Sequence, residues 1–408
     1  MFSFHPTPKE DLLVSWRLPE EERNELISFR RELHQHPELS WQEFETSRRV
    51  FERLEALGLT PRRMAKTGVV AEVGSQEGPV VALRADLDAL PIQEATDLPF
   101  ASEHQGVMHA CGHDAHTACL MVVAKRLVAN PPSYGRVRLI FQPAEEDTDG
   151  ADMMIREGVL ADPEPIAIYG AHVWSQMPSG YVGVNAGPTM GSVDHLEIEI
   201  TGRGGHGAVP HTAIDPIVAG ANLVMSLQTL VSRRIDPMHS VVVSIGQFEA
   251  GTAFNVIPET AKLTGTVRTL EREAWEQIPA LLETIVHQAV AAHGCEAKLT
   301  LTRSLRPLIN HERETEVVRK VAQAYLPDER ILPTKMLAGE DFSAFLEQIP
   351  GCFFFVGSAF EKSEADAMKA APHHNPRFML DEESFDLVVR ILEDSARYEL
   401  NEAHKAVL

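Results

Sequence analysis

The chain has 408 residues, more than one ordinary hydrophobic core holds, so we expect two domains. Its formal net charge of −22 repels phosphate backbones, and no stretch approaches the ~20 apolar residues of a membrane span. Nucleic acid and membrane are therefore not expected partners. Four cysteines and a charged segment before Leu18, without a signal-peptide core, predict a cytoplasmic location.

Helical and strand patterns alternate through the first half of the chain. A charged amphipathic segment predicts a helix over 20–35 that ends near Pro37, and apolar residues at helical spacing predict another over 46–57. Further predicted elements are strands at 69–73, 80–83, 136–141 and 166–169 and a helix at 115–129. This alternation indicates an α/β domain with a largely parallel sheet.

The pattern changes near Ser192, where apolar and polar residues alternate as in a half-exposed strand. A helix follows, with Asp215 as its N-cap and Pro216 at its first position. The later elements predicted here are strands at 240–248, 261–270 and 297–302 and a helix at 271–293. The order is the ferredoxin-like β-α-β-β-α-β arrangement, so we place an inserted domain at 192–305.

We expect residues 1–191 and 306–408 to form one α/β domain around this insertion. Helix–strand alternation resumes at Arg313 and ends in a predicted helix over 382–404. A domain inserted into another leaves a cleft, which is where ligands tend to bind.

Cys111, His113 and Asp114 lie together between a loop and a predicted helix. A thiolate, an imidazole and a carboxylate this close can converge on one metal ion. A buried cysteine beside a helix-capping aspartate is the structural alternative. Asp86 and Asp88 follow the predicted strand at 80–83, where α/β sheets gather ligand residues. Two solvated acids in a loop would give the same pattern.

Two adjacent carboxylates, Glu145 and Glu146, follow another predicted strand. A nearby dication would relieve their repulsion, with one carboxylate binding metal and the other moving protons, although a solvated loop edge is also compatible. His172 follows the next predicted strand, and the pair His373-His374 lies late in the chain. A single histidine is more often packed or on the surface. Together, these strand-end residues would supply ligands for two metal ions.

The glycine-rich segment 202–207 formally matches the dinucleotide-binding fingerprint, which would make the chain a nucleotide-binding oxidoreductase. Residues 208–210 continue the loop, so no helix begins on the glycines, and no acidic residue ends the following strand to hold a ribose. We therefore expect the glycines to let a loop approach a ligand, with His206 at its tip. A flexible loop with an incidental histidine is the alternative.

Nine segments of the chain resemble the M20 metallopeptidases, most closely their amidohydrolase branch of aminoacylases, hippurate hydrolases and auxin-conjugate hydrolases. They follow the family's order from about residue 30 to residue 385: RRELHQHPELSWQE, ALRADLDALP, MHACGHDAHT, FQPAEE, GAHVW, GRGGHGAVPH, FNVIPETAKLTGTVRT, AGEDF and HHNPRF. The resemblance implies a zinc-peptidase-like catalytic domain with two divalent metal ions per subunit. It also implies that the inserted α+β domain is a lid that forms a homodimer, or a larger assembly.

Carried over by position, the resemblance implies five metal ligands: Cys111, His113, Glu146, His172 and His374. Cys111 stands where many relatives place an aspartate that bridges the metals, and the softer thiolate leaves Zn, Mn, Co and Ni open. His374 is preferred over His373 because it keeps the family's spacing to Pro376. Relatives more often continue with Gly directly after Glu146, whereas this chain has further acids at 147–149, which puts substrate preference in question.

The resemblance also implies roles for the remaining residues. Glu145 would be the general base and Asp88 would support the ligands. From the lid domain, His206 would stabilise the oxyanion, Asn255 would be a second donor, and Arg268 would bind an α-carboxylate as a bidentate pair. Arg268 could equally be a surface charge on a strand.

The implied reaction is hydrolysis of the amide bond of an N-acyl amino acid, and a dipeptidase or carboxypeptidase with the same metal site stays open. The resemblance further suggests that His206 reaches into the partner subunit's active site, although action within its own chain is the alternative.

Overall fold

The computed structural model describes residues 15–408 and divides them into two compact units. The first unit contains the described residues up to Gly187 together with Asn310–Thr334 and Ala344–Leu408, and the second contains Pro188–Ile309 and Lys335–Ser343. The sequence had placed 335–343 with the catalytic domain, but these residues group with the second unit. Within the described part of the chain, no helix is both long and apolar enough to cross a membrane.

The α-helices of the described residues are, in chain order, α1 (Glu20–Gln35), α2 (Phe44–Ala56), α3 (His113–Ala129), α4 (Gly150–Arg156), α5 (Pro216–Thr229), α6 (Arg272–Ala291), α7 (Glu312–Ala322), α8 (Ser343–Leu346), α9 (Glu364–Ala367) and α10 (Phe385–Lys405). The strands are β1 (Arg62–Met64), β2 (Gly68–Gly74), β3 (Val80–Asp86), β4 (Arg136–Gln142), β5 (Pro165–Pro178), β6 (Val182–Gly183), β7 (Gly187–Met190), β8 (Val193–Thr201), β9 (Gly205–His206), β10 (Val241–Ala250), β11 (Val256–Ile257), β12 (Thr260–Thr269), β13 (Glu296–Leu305), β14 (Leu308–Asn310), β15 (Ile331–Leu332) and β16 (Gly351–Ala359).

The first unit contains an eight-stranded sheet with the order β1-β2-β4-β3-β5-β16-β6-β15. Its centre, β4-β3-β5-β16, is parallel, as the sequence predicts, while β1, β2 and β6 join by antiparallel pairing. Every residue of β3, β4 and β16 is buried, which is the pattern of strands covered on both faces.

The core of this unit lies where α1, α3 and α10 pack together and against the sheet. Leu33 on α1, Leu120 on α3 and Leu392 on α10 are all buried in this cluster. Burying each such side chain contributes about 1.5–3 kcal/mol. The core therefore holds the first turn of α3 against the carboxyl ends of the central strands, where the candidate site residues lie.

One predicted strand proved longer than expected. The sequence predicts a strand over 166–169 followed by His172, but β5 continues to Pro178, so His172 lies inside the strand. Pairing between β3 and β5 ends at Arg84 and Gly170, whereas β5 remains paired with β16 beyond that point. His172 therefore lies on the part of β5 that extends past its pairing with β3.

The second unit contains a four-stranded antiparallel sheet with the order β10-β12-β8-β13. Along the chain its elements run β8-α5-β10-β12-α6-β13, which is the predicted ferredoxin-like order. Helix α5 begins as expected, with the Asp215 carboxylate accepting a hydrogen bond from the Ile217 backbone N–H at 2.8 Å and Pro216 at the first helical position. Buried residues of β8, such as Ile198, share a core with both helices.

Candidate active site

The loop that leads into α3 brings three predicted ligands together. Gly112 has φ +92°, and a Cβ atom there would lie 2.6 Å from Cγ2 of Val173, so this position requires glycine. The Sγ atom of Cys111 lies 3.5 Å from Nε2 of His172. Ligand atoms of Cys111, His113 and His172 all lie within 4.8 Å of one another, so they form one group able to hold a metal ion.

A second group of the same kind contains Cys111, Glu146 and His374, again within 4.8 Å. Nε2 of His374 lies 3.3 Å from Oε1 of Glu146. All five ligands predicted from the sequence thus belong to two groups that share Cys111. Cys111 therefore belongs to both candidate groups, and its sulfur would be a ligand common to both ions.

The two neighbouring histidines have different surroundings. His373 is half-buried, its Nε2 atom accepts a hydrogen bond from the Ser175 backbone N–H at 3.2 Å, and its ring stacks on Trp174 with centroids 4.4 Å apart. His374 instead points its Nε2 atom at Glu146. This geometry supports the choice of His374 as the ligand and gives His373 a packing role.

Asp88 connects the strand end to both glutamates and to one histidine. Its buried carboxylate accepts hydrogen bonds from the Ser40 hydroxyl at 2.7 Å and from the backbone N–H groups of Glu145 and Glu146 at 3.1 and 3.0 Å. Nδ1 of His113 lies 2.9 Å from the Asp88 carbonyl oxygen and 3.3 Å from its carboxylate. Asp88 therefore orients His113 so that Nε2 faces the glutamates.

The site carries more negative than positive charge. Nε2 of His113 is buried, has no hydrogen-bond partner among the described residues, and lies 3.8 Å from Asp86, 4.0 Å from Glu145 and 3.9 Å from Glu146. Burial lowers the pKa of His113, but Asp86, Asp88 and Glu146 outweigh it and raise that pKa to about 10.

The Cys111 thiol responds to the same charges. Burial, and then Glu146, Glu145 and Asp86, raise its pKa well above the ordinary value. A buried nitrogen without a partner is unfavourable, and so is a thiolate among carboxylates, and a divalent cation that displaced the protons would compensate for both. The donor set of thiolate, imidazole and carboxylate therefore fits borderline divalent ions.

A buried residue beside this site, His116, was not among the residues predicted from the sequence. Its Nδ1–H donates to Oδ1 of Asp86 at 2.7 Å, and its Nε2 accepts from the Val173 backbone N–H at 3.0 Å. Because both ring nitrogens are used, His116 cannot also bind a metal, although its atoms cluster with Asp86 and His113. The available signal was its position three residues after His113, which places both on one face of α3.

Two of the predicted substrate residues meet in the second unit. His206 lies on β9 and pairs with Val256 of β11, directly after Asn255. The Asn255 carbonyl oxygen accepts a hydrogen bond from the Gly207 backbone N–H at 2.9 Å, and both predicted side chains are exposed. His206 and Asn255 are therefore presented on the same surface.

Arg268 lies elsewhere in that unit, next to the last residue of β12. It is half-buried, and no hydrogen bond to its guanidinium is found within the described part of the chain. Burial lowers the pKa of Arg268, partly opposed by Asp194. At ~3.3 Å per residue, Arg268 lies about 26 Å along the strand from Thr260, which follows the β9–β11 pair. Arg268 is thus not brought together with His206 and Asn255.

Comparison with known proteins decides the family. Residues 82–398 match the peptidase family M20/M25/M40. The chain belongs to this family. N-acetyl-L-cysteine deacetylase of Bacillus subtilis (strain 168) is 42% identical over 377 residues, which are 91% of this chain and 88% of the relative. N-acyl-L-amino acid amidohydrolase of Geobacillus stearothermophilus is 44% identical over 300 residues, 72% of this chain and 80% of the relative.

The fold agrees with this membership. The crystal structure of a dinuclear metal binding peptidase of the M20 family from Bacillus subtilis has a TM-score of 0.81 and 37% identity, covering 94% of this chain and 99% of that one. As a member of the M20 family, the chain is a metal-dependent hydrolase that acts on amide bonds. It carries candidate ligand groups for two ions.

Proposed function

We propose that this M20 enzyme hydrolyses the amide bond of N-acyl-L-amino acids, using two divalent metal ions per subunit. The observation that carries the proposal is the pair of ligand groups that share Cys111, with the Glu145 carboxylate 4.0 Å from Nε2 of His113. Two close relatives are named for the deacetylation of N-acetyl-L-cysteine and for N-acyl-L-amino acid amidohydrolysis. The substrate class is therefore small, and its scissile bond is an amide.

The metal assignment follows the two groups. Cys111 would bridge the ions, His113 and His172 would hold one, and Glu146 and His374 would hold the other. When bound, the ions supply Lewis acidity, which lowers the pKa of a coordinated water and polarises the acyl carbonyl. The donors suit Zn, Mn, Co or Ni.

A reducing compartment keeps this thiolate available. All four cysteines, Cys111 among them, are free and buried, so no disulfide competes for the bridging sulfur. We place the enzyme in the cytoplasm, where thiols stay reduced. Oxidation of Cys111 would remove a ligand from both metal groups at once.

Glu145 acts as the general base. Asp88 fixes its backbone, while its neighbour Glu146 points toward His374. The Glu145 carboxylate accepts a proton from the attacking water and later donates it to the leaving amine, a task that contributes about 10²–10⁴-fold to rate. The protein thus positions the proton acceptor independently of the ligand beside it.

The second unit binds the substrate's polar groups. Arg268, a half-buried cation, grips the α-carboxylate, while His206 and Asn255 stabilise the oxyanion. A single N-acyl amino acid cannot span the ~26 Å that separates Arg268 from Thr260, the residue of β12 that follows the β9–β11 pair. We therefore propose a homodimer in which His206 and Asn255 act at the partner subunit's active site.

The surface of the second unit supports such a dimer. Strand β10 is an edge of the sheet, which leaves its outer backbone groups available for pairing. Exposed apolar side chains lie on that strand, at Val242 and Phe248, and on α5, at Val218 and Met225. Exposed apolar side chains beside an unpaired sheet edge are typical of association surfaces.

A substrate comparison tests the function. Metal-reconstituted enzyme is offered N-acetyl, N-benzoyl and indole-acetyl derivatives of one amino acid, together with dipeptides that have a free N-terminus. We expect cleavage of the N-acyl compounds, loss of activity after dialysis against a chelator, and recovery on adding metal. Cleavage of the free dipeptides alone would make the enzyme a peptidase, and chelator-resistant cleavage would contradict the metal site.

A further inference from the structure

The unequal lengths of two neighbouring strands leave backbone groups without sheet partners. Strand β3 stops at Asp86, and its pairing with β5 ends at Gly170. Strand β5 continues through His172 and Val173. Buried backbone N–H and C=O groups need hydrogen-bond partners. Beyond its pairing with β3, the backbone groups on this edge of β5 must find those partners outside the sheet.

His116 on α3 fills this gap. Its Nε2 atom lies 3.0 Å from the Val173 backbone nitrogen, and its Nδ1 atom lies 2.7 Å from Oδ1 of Asp86. The backbone N–H can only donate, so Nε2 must be the acceptor, which leaves the ring hydrogen on Nδ1 for Asp86. His116 is thereby fixed as one neutral tautomer in one orientation.

Asp86, which accepts the hydrogen bond from His116, is itself held in place by buried contacts. Nη1 of Arg84 lies 2.6 Å from Oδ2 of Asp86, and the Thr117 hydroxyl donates to the Asp86 carbonyl oxygen at 2.6 Å. Arg84, Asp86 and Thr117 are all buried. Asp86 therefore cannot turn away from His116 without breaking a buried ion pair, which is strongly unfavourable.

Val173, which donates to His116, also helps to set the orientation of the proposed metal ligand His172. Nδ1–H of His172 donates to the Val173 carbonyl oxygen at 2.6 Å, so the lone pair lies on Nε2, which faces Sγ of Cys111 at 3.5 Å. The rings of His116 and His172 also meet edge to face, with centroids 4.6 Å apart. His116 thus holds both the backbone to which His172 is bonded and the ring of His172 itself.

We propose that His116 is a positioning residue. Held by Asp86, it fixes the Val173 backbone to which His172 is hydrogen-bonded, and so orients Nε2 of His172 toward the metal ion. This inference rests on the proposed metal site. Hydrogen bonds behind a metal-bound histidine fix its tautomer and ring orientation, and removing them costs about 10–100-fold in metal affinity. His116 reaches His172 through a backbone peptide rather than by bonding to the ligand directly.

The test compares two substitutions, with Co²⁺ alone as the probe. His116→Phe keeps a planar ring and removes both nitrogens. His116→Gln restores a donor for Asp86 and an acceptor for Val173. We expect His116→Phe to raise the dissociation constant of the ion at the Cys111–His113–His172 group about 10–100-fold and to shift its thiolate–cobalt absorption. His116→Gln should recover most of the affinity and the spectrum.

His109→Phe is the matched control, because His109 is equally buried but its ring nitrogens have no hydrogen-bond partner within residues 15–408. It should keep the Co²⁺ affinity and spectrum. Equal losses in His116→Phe and His116→Gln, or no loss in His116→Phe, would overturn the positioning role.

A measurement on the unmodified chain covers the case in which His116→Phe does not fold. Long-range ¹H–¹⁵N spectra of the metal-free enzyme should show His116 and His172 as Nδ1–H tautomers. An Nε2–H tautomer at His116 would refute the inference. Wild-type protein that binds no Co²⁺ would instead refute the proposed metal site, whatever the tautomers are.

Discussion

Glu145 and Glu146 are adjacent in the chain, yet their surroundings differ. Both backbone N–H groups are held by Asp88, and the Glu146 carboxylate contacts His374 at 3.3 Å. A dication shared by two neighbouring carboxylates allows one to be a ligand while the other stays free to move protons. The assignment of these roles is open to direct test.

We predict that Glu145→Ala retains both metal ions and loses about 10²–10⁴-fold in turnover, as expected for a lost acid–base group. Glu146→Ala should lose metal. Elemental analysis of each purified variant, combined with turnover at saturating metal, distinguishes the two. The reverse result, with metal lost from Glu145→Ala, would mean that the roles are exchanged.

Metal binding should depend on pH. In the metal-free protein the raised pKa values of Cys111 and His113 keep both groups protonated at neutral pH, so an entering ion displaces their protons. Affinity should therefore rise with pH, on the order of tenfold per unit for each displaced proton, from about pH 6 to about pH 8.

Titration with metal in buffers of different ionisation enthalpy counts the released protons. Cys111→Ala should release one proton fewer and bind less metal. The control is Cys119→Ala, since Cys119 is buried in the core and belongs to neither ligand group. Binding that does not change with pH would contradict the protonated state of the free site.

At the scale of elements, the local sequence pattern predicts the bounds of an element when the residues that define it all lie within that element. Helix α1 has the predicted bounds, Glu20–Gln35, because its apolar spacing is complete within the helix. Strand β5 was predicted to end at Tyr169, yet it runs to Pro178. The part of β5 beyond Tyr169 is stabilised by β16 and by His116. Both are distant in sequence, so no local pattern predicts this extension.

The site shows the same division. Five ligands were predicted because their motifs resemble those of a known family, and these five residues lie in two candidate groups. His116 was missed because its function depends on a backbone N–H of β5 that lacks a sheet partner. The segment 335–343 was assigned by its neighbours in sequence, although it groups with the second unit. It is largely irregular, which leaves no periodicity to guide the prediction.

The loop before α3 offers a test at this scale. We predict that Gly112→Ala lowers both metal content and the thermal midpoint, because a Cβ atom would lie 2.6 Å from Val173 Cγ2 and alanine at φ +92° is strained by about 1–3 kcal/mol. The matched control is Gly106→Ala, since Gly106 also has positive φ, +77°, but has nothing within 4 Å of the added atom.

Gly106→Ala should therefore show the backbone strain of a positive φ without a steric clash like that with Val173, and it should keep its metal. Calorimetry and elemental analysis of both variants separate the two effects. Equal metal content in Gly112→Ala and Gly106→Ala would show that the contact with Val173 does not position Cys111 and His113.

At the scale of the whole molecule, the question is whether one subunit completes another's active site. His206 lies on the β9–β11 pair, and Arg268 lies about 26 Å along β12 from Thr260, which follows that pair, so a reciprocal dimer is a direct way to bring both kinds of group to one substrate. We predict that mixing inactive His206→Ala and Glu145→Ala enzymes restores activity. Random pairing makes half of the dimers mixed, so roughly a quarter of all sites would carry neither defect.

Differently tagged subunits and their co-purification verify exchange in this experiment. Each variant incubated alone is the control and should stay inactive. A mixture that remains inactive despite verified exchange would rule out shared active sites. His206 would then act, if at all, in the active site of its own subunit.

The two ligand groups also differ in when the ribosome can complete them. Cys111, His113 and His172 all precede the inserted unit in the chain, whereas His374 follows it. Domains fold during synthesis from the N-terminal end. The first group therefore has all its ligands translated before the second unit emerges, and the other must wait for the last part of the chain. Strand β16 and helix α10, which hold β5 and α3, also follow the inserted unit, so both groups reach their final geometry only after the last part of the chain has been made.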